Sequence, residues 1–156
     1  MKEIFLNNEY NGKGIEHFEN GEYYEGDFIN CKKQGKGVVY YSNNHIKYIG
    51  DFCDDKFEGN RYYYETNGDF YIGKFKNGVK KGKGIEYYKN GDIKYDGYFS
   101  NDLYEGKGVF YDEQRNYCEV NFQNGLKNGK GIVYKDGKLE EITFIDDKPS
   151  SNCIII

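Results

Sequence analysis

The sequence predicts an all-β chain: a single-layered, twisted antiparallel sheet built from tandem β-hairpins, elongated like a solenoid. Three observations predict it. A Gly-x-Gly triplet recurs at a nearly constant step, a phenylalanine column keeps the same step, and two turn signals fall in each interval. Composition agrees, since only 37% of the 156 residues are hydrophobic while 19% are aromatic and 21 are glycine. That mix suits neither a packed globule nor a disordered chain, because disordered segments lack aromatic residues.

The triplets are Gly12-Lys13-Gly14, Gly35-Lys36-Gly37, Gly82-Lys83-Gly84, Gly106-Lys107-Gly108 and Gly129-Lys130-Gly131, and Glu58-Gly59-Asn60 fills the remaining place. With Asn60 standing for the second glycine, the steps are 23, 23, 24, 24 and 23 residues. The phenylalanine column is Phe5, Phe28, Phe52, Phe75, Phe99, Phe122 and Phe144. Fixed self-similarity of this length marks a repeat array, so a leading half-unit and six units of about 23 residues account for residues 1–148.

Each unit is a hairpin because it holds two turn signals. One follows the triplet: Asn20-Gly21, Asn43-Asn44, Asn67-Gly68, Asn90-Gly91, Asp136-Gly137 and the weaker Arg115-Asn116. The other follows the phenylalanine: Asn30-Cys31, Asp54-Asp55, Asn77-Gly78, Asn101-Asp102 and Asn124-Gly125. These residues tolerate the positive φ of tight hairpin turns. Glycine at this frequency and the absence of a 3.6-residue period exclude helix.

Three stretches, GKGVVYYSNNHIKYIGDF, GKGIEYYKNGDIKYDGYF and the unit containing YYEGDF, resemble the MORN (membrane occupation and recognition nexus) repeat. Its pattern is Tyr-x-Gly-x-Trp/Phe, an Asn-Gly turn, Gly-x-Gly and an aliphatic-x-Tyr strand. The resemblance covers about nine tenths of the chain and implies tandem hairpins in one sheet. Two departures stand out. No tryptophan is present, so Phe fills that column, and Cys118-Glu119-Val120 and Glu140-Glu141-Ile142 replace Tyr-x-Gly in the last two units. Those units read as the capping end.

Strand alternation puts Tyr24, Tyr48, Tyr71 and Tyr95 on one face with Gly26, Gly50, Gly73, Gly97 and the phenylalanines, where rings lie flat over bare backbone. The opposite face is polar in units one and four, with Glu16, Glu25, Asp27, Glu86 and Asp96. In units two and three it reads Val39, Tyr41, Ile49, Tyr62, Tyr64 and Ile72, an apolar patch expected to bind a protein or peptide partner.

Enzymatic, metal and nucleic-acid functions find no support. The net charge of −4 gives no electrostatic reason to bind nucleic acid. Gly-Lys-Gly lacks the spacing and following helix of a phosphate loop. His17, His45, Cys31 and Cys53 match no zinc spacing, and paired acids such as Asp54-Asp55 lie in turns. No catalytic residue, metal ligand or cofactor is expected. Four cysteines without a CxxC suit a reducing cytosolic compartment, and no signal peptide or membrane-spanning run is evident.

Residues 149–156 read as a flexible tail, with Pro149 and small polar residues leading to Cys153-Ile154-Ile155-Ile156. That quartet has the form of a C-a-a-X prenylation signal, with Ile156 favouring geranylgeranyl over farnesyl. Prenylation is eukaryotic chemistry and would hold the array at the cytosolic face of a membrane. One isoprenoid anchors only marginally, so a second contact through a protein partner or anionic lipid is expected. The competing arrangement is a hydrophobic terminal strand packed on the last unit. The sequence therefore indicates a lipid-tethered, non-catalytic scaffold, and alternatively a soluble cytoskeletal or ciliary structural subunit with an unmodified C-terminus. Homodimerisation is compatible with either.

Overall fold

The computed structural model describes residues 4–6, 9–150 and 154–155, with 4–6, 9, 154 and 155 as backbone alone. Two compact units divide the chain, Met1–Val79 and Lys80–Ile156. The first holds β1 (Ile4–Leu6), β2 (Glu9–His17), β3 (Tyr23–Ile29), β4 (Lys32–Tyr40), β5 (Ile46–Cys53), β6 (Lys56–Tyr64) and β7 (Phe70–Lys76). The second holds β8 (Val79–Tyr87), β9 (Ile93–Ser100), β10 (Leu103–Tyr111), β11 (Tyr117–Gln123), β12 (Leu126–Lys135), β13 (Lys138–Ile145), β14 (Lys148–Pro149) and β15 (Ile154–Ile155). Within each unit successive strands pair antiparallel, and β15 adds to β13. No helix occurs among the described residues.

Two kinds of connection alternate. The short ones put both central residues at positive φ, as in Asn30 (50°) and Cys31 (61°) or Asn101 (50°) and Asp102 (67°). This is the primed turn whose twist matches that of paired strands. The long ones span five residues: the Phe18 amide donates to the Glu22 carbonyl at 2.8 Å, and the Glu22 amide donates to Asn20 Oδ1 at 3.0 Å. The structure corrects one turn position and keeps Asp136-Gly137 where it was expected. Positive φ falls at Arg115, so Gln114-Arg115 is the turn pair in place of Arg115-Asn116. Asp136-Gly137 makes a two-residue turn, with Lys135 paired directly to Lys138.

The two glycines of each triplet have different tasks. The first adopts a left-handed φ, 63° at Gly35 and 66° at Gly106, and lies in a β-bulge against the preceding strand. The second is a matter of space. Gly37 faces Gly26 across β3 and β4, and the Tyr24 ring lies over both, so a Cβ on either would enter the ring. Tyr95 lies over Gly97 and Gly108 in the same way.

These tyrosines are fully buried, which obliges their hydroxyls to find partners. Each donates to the carbonyl three residues ahead: Tyr24 to Asp27 at 3.0 Å, Tyr48 to Asp51 at 2.9 Å, Tyr71 to Lys74 at 3.3 Å and Tyr95 to Tyr98 at 3.1 Å.

The core is the resulting ladder. Tyr24 meets Phe28 and Phe52 edge-on at centroid distances of 5.2 and 4.8 Å, and Tyr48 meets Phe52 and Phe75 at 5.3 and 5.5 Å. In the second unit Tyr95 meets Phe99 and Phe122, both at 5.2 Å. Tyr24, Tyr48 and Tyr95 thus each link the phenylalanine of their own repeat to that of the next. Such pairs add about 0.5–1.5 kcal/mol each beyond burial.

Register corrects the triplet that lacks its second glycine. Gly59 pairs with Phe75 and Arg61 with Gly73, just as Gly82 pairs with Phe99 and Gly84 with Gly97. The position of the second glycine therefore belongs to Arg61, not Asn60. Arg61 fits because its guanidinium reaches out to Asp51.

Candidate functional site

Because the second glycine occupies the ladder face, the residue after it points to the other face. Val38 pairs with Ile49, Ile49 with Tyr62 and Tyr62 with Ile72, forming an apolar row across β4 to β7 on the face that the ladder leaves open. Ile49 and Tyr62 are 37% and 46% exposed. The matching row in the second unit is broken by acids: Ile85 pairs with Asp96, Val109 with Glu119 and Ile132 with Glu141.

A second row flanks the first. Tyr23 and Tyr40 stack at 4.6 Å with 13° between planes, His17 lies 5.4 Å from Tyr23, and Tyr64 lies 5.8 Å from Phe70. On the other flank stand ion pairs, Lys13 with Asp27 at 2.9 Å and Arg61 with Asp51. Between them runs a groove of about 750 Å³ lined by residues such as Val38, Tyr40, Ile49, Gly50, Asp51 and Arg61. The arrangement offers apolar side chains in a strip with charges of both signs at its margin.

The structure divides the predicted patch. Ile49, Tyr62 and Ile72 form the row, and Tyr64 lies beside it on the same face. Val39 does not belong: it pairs with Tyr24 and Tyr48, is 5% exposed and packs in the ladder. Tyr41 also leaves the patch. Its hydroxyl donates to the Tyr64 carbonyl at 2.6 Å, the Lys47 ammonium lies 5.2 Å over its ring, and it hydrogen-bonds with Tyr63, which itself pairs with Tyr48. Burial pushes the Tyr41 phenol above its ordinary pKa. Val38, Tyr40, Tyr23 and His17 are the open-face residues that the sequence reading passed over. The glycine-to-glycine pairing was the signal for them.

Cys153 lies outside the described residues. Beside it, Ile154 and Ile155 pair through their backbone with Glu141 and Glu140 of β13, and Lys148 and Pro149 pair with Ile145 and Phe144. Cys31 and Cys53 are exposed free thiols, and His45 sits in a five-residue connection. Among the described residues no group of three or more His, Cys, Asp or Glu could hold a metal ion. Also among them, no helix is long and apolar enough to cross a membrane.

The MORN repeat family matches residues 4–23, 24–46, 71–93, 95–114 and 121–138. The chain belongs to the MORN-repeat family. The stretch from 47 to 70 is outside those matches, yet it builds the same MORN hairpin geometry, and it is where Arg61 replaces glycine. MORN repeats carry no catalytic chemistry of their own. A 49-residue stretch is 45% identical to the inactive protein tyrosine kinase pTKL of Plasmodium falciparum (isolate 3D7), covering 31% of this chain. The match spans 3% of the length of that protein.

Proposed function

We propose that this MORN array is a non-catalytic scaffold or adaptor that binds a protein or peptide partner along the open face of its first unit. The observation that carries this is the unbroken row Val38, Ile49, Tyr62 and Ile72, whereas the corresponding row within the second unit is interrupted by acids. Contiguous exposed apolar side chains rimmed by charge characterise partner sites. The second element of the proposal is a lipid tether: an isoprenoid on Cys153, within Cys153-Ile154-Ile155-Ile156, holds the protein at a cytosolic membrane face. Because a single chain anchors only marginally, the bound partner, or anionic lipid, supplies the second contact.

One experiment tests both elements. Tyr62→Glu with Ile72→Glu abolishes partner capture while leaving the thermal midpoint nearly unchanged, and Cys153→Ser moves the protein from the detergent phase to the aqueous phase. Loss of folding in the first variant would show that the row is internal. An unmodified Cys153 in protein from its native cells would remove the tether. A second reading is favoured by the pairing of Ile154 and Ile155 with β13, in which these isoleucines serve packing in a soluble cytoskeletal or ciliary subunit.

A further inference from the structure

Two residues ahead of the first glycine of every triplet stands a side chain that lids the ladder: Tyr10, Lys33, Phe57, Lys80, Tyr104 and Lys127. Aromatic and lysine lids alternate, and lids of one kind are 47 residues apart. The register puts Lys33, Phe57, Tyr104 and Lys127 directly opposite Phe28, Phe52, Phe99 and Phe122.

The two kinds close the ladder differently. Phe57 stacks on Tyr48 at 3.9 Å and also touches Phe52 and Phe75 at 5.5 and 5.7 Å. Tyr104 stacks on Tyr95 at 3.8 Å and touches Phe99 and Phe122, both at 5.5 Å. One aromatic lid therefore spans the phenylalanines of two repeats. The lysines cover rings through their ammonium groups and need acids: Lys33 lies 5.5 Å over Tyr24 and pairs with Glu16 and Asp55, while Lys80 pairs with Glu86 at 2.6 Å and Lys127 with Asp147 at 3.7 Å.

The turn aspartates alternate in the same phase. Beside each lysine lid the facing turn carries an aspartate whose Oδ1 accepts from the lid's own amide: Asp55 from Lys33 at 2.9 Å, Asp102 from Lys80 at 2.8 Å and Asp147 from Lys127 at 2.9 Å. Beside the aromatic lids no aspartate holds that place: the Tyr10 amide donates to Cys31 Sγ at 3.1 Å, and the residues facing Phe57 and Tyr104 are Gly78 and Gly125. There the residue after the lid accepts from the first amide of the turn, Asn11 from Asn30 at 3.0 Å, Glu58 from Asn77 at 3.2 Å and Glu105 from Asn124 at 3.0 Å; beside Lys127, Asn128 accepts from Asp146 at 3.5 Å as well.

We propose that the structural period of this protein is a pair of MORN hairpins, 47 residues long, and that neighbouring single repeats are not interchangeable. A ring that spans two repeats leaves the adjacent lid position to a slender chain, and the acid that serves a lysine lid has no task beside an aromatic one. Lid and turn aspartate are thus one coupled choice made once per pair.

Three deletions in the full chain test this. Removing 57–103 takes out one pair and joins Lys56 to Tyr104, so the lids still alternate. Removing 57–79 sets two lysine lids in succession, and removing 80–103 sets two aromatic lids in succession. The pair deletion, although shortest, should melt at least about 5 °C above both single-repeat deletions in one cooperative transition. A simple additive array demands the opposite order, and either single-repeat deletion melting at or above the pair deletion overturns the proposal. Should every deletion fail to fold, exchanges in the full-length chain decide. Phe57→Lys with Lys80→Phe, which keeps composition, should lower Tm by at least about 10 °C, whereas Phe57→Tyr with Tyr104→Phe should shift it by less than about 2 °C. Equal shifts in the two exchanges overturn it.

Discussion

Cys118 and Val120 have exchanged volume: the residue where a ladder tyrosine belongs is small, and the residue two ahead, where a glycine belongs, is large. Both remain buried, at 8% and 4% exposure. Val120 packs over Gly131, whose added Cβ would come within 2.9 Å of Val120 Cβ. The pair that looks degenerate in sequence is a compensated rung. Burial also pushes the Cys118 thiol above its ordinary pKa, so it behaves as a small hydrophobe.

Compensation of this kind is non-additive. Cys118→Tyr alone forces a ring into space that Val120 fills, and Val120→Gly alone leaves a hole beside Gly131; each should cost about 1–3 kcal/mol. The double substitution rebuilds a Tyr-x-Gly rung and should recover most of that loss, with a coupling above about 1 kcal/mol in denaturant unfolding. Simple summation of the two costs would show that the rung is not shared.

The two glycines of a triplet should respond differently to alanine. At Gly37 the added methyl collides with the Tyr24 ring, and its cost of about 1–3 kcal/mol should largely vanish in a Tyr24→Ala background. At Gly106 nothing lies within 4 Å of the added Cβ, but φ is 66°, so a cost of about 1–2 kcal/mol should persist whatever stands at Tyr95. Identical dependence on the tyrosine at both sites would contradict this division of labour.

The ladder also predicts alkaline behaviour. Burial pushes the Tyr48 phenol up to about 12, and Tyr24 and Tyr95 rise further for the same first cause. A raised folded pKa means that the neutral phenol is favoured in the sheet. Its contribution is complete below the unfolded value of about 10 and is lost as pH rises toward the folded value. Tyrosinate absorbance from these rings should therefore appear together with loss of the β circular dichroism signal, between about pH 10 and 12. Full tyrosinate formation with the sheet intact would refute burial of the ladder.

The sequence by itself determined the hairpin array. A recurring Gly-x-Gly, a phenylalanine in step with it and Asn-Gly-type turns are local signals, readable because backbone φ and chain reversal depend on a few adjacent residues. It also determined that Tyr24, Tyr48, Tyr71 and Tyr95 share a face with the phenylalanines, since alternation within one strand needs no partner. Which residues of the neighbouring strand join them was decided only by tertiary structure. The β-bulge at the first glycine shifts register by an amount that one strand cannot reveal, and a shift of one residue exchanges the two faces. That is why Val39 lies in the ladder while Val38 joins Ile49, Tyr62 and Ile72 on the open face, and why Arg61, not Asn60, holds the glycine position. The coupling of lids, turns and acids was likewise hidden, because Lys33 and Asp55 or Phe57 and Phe75 become neighbours only when successive hairpins pair.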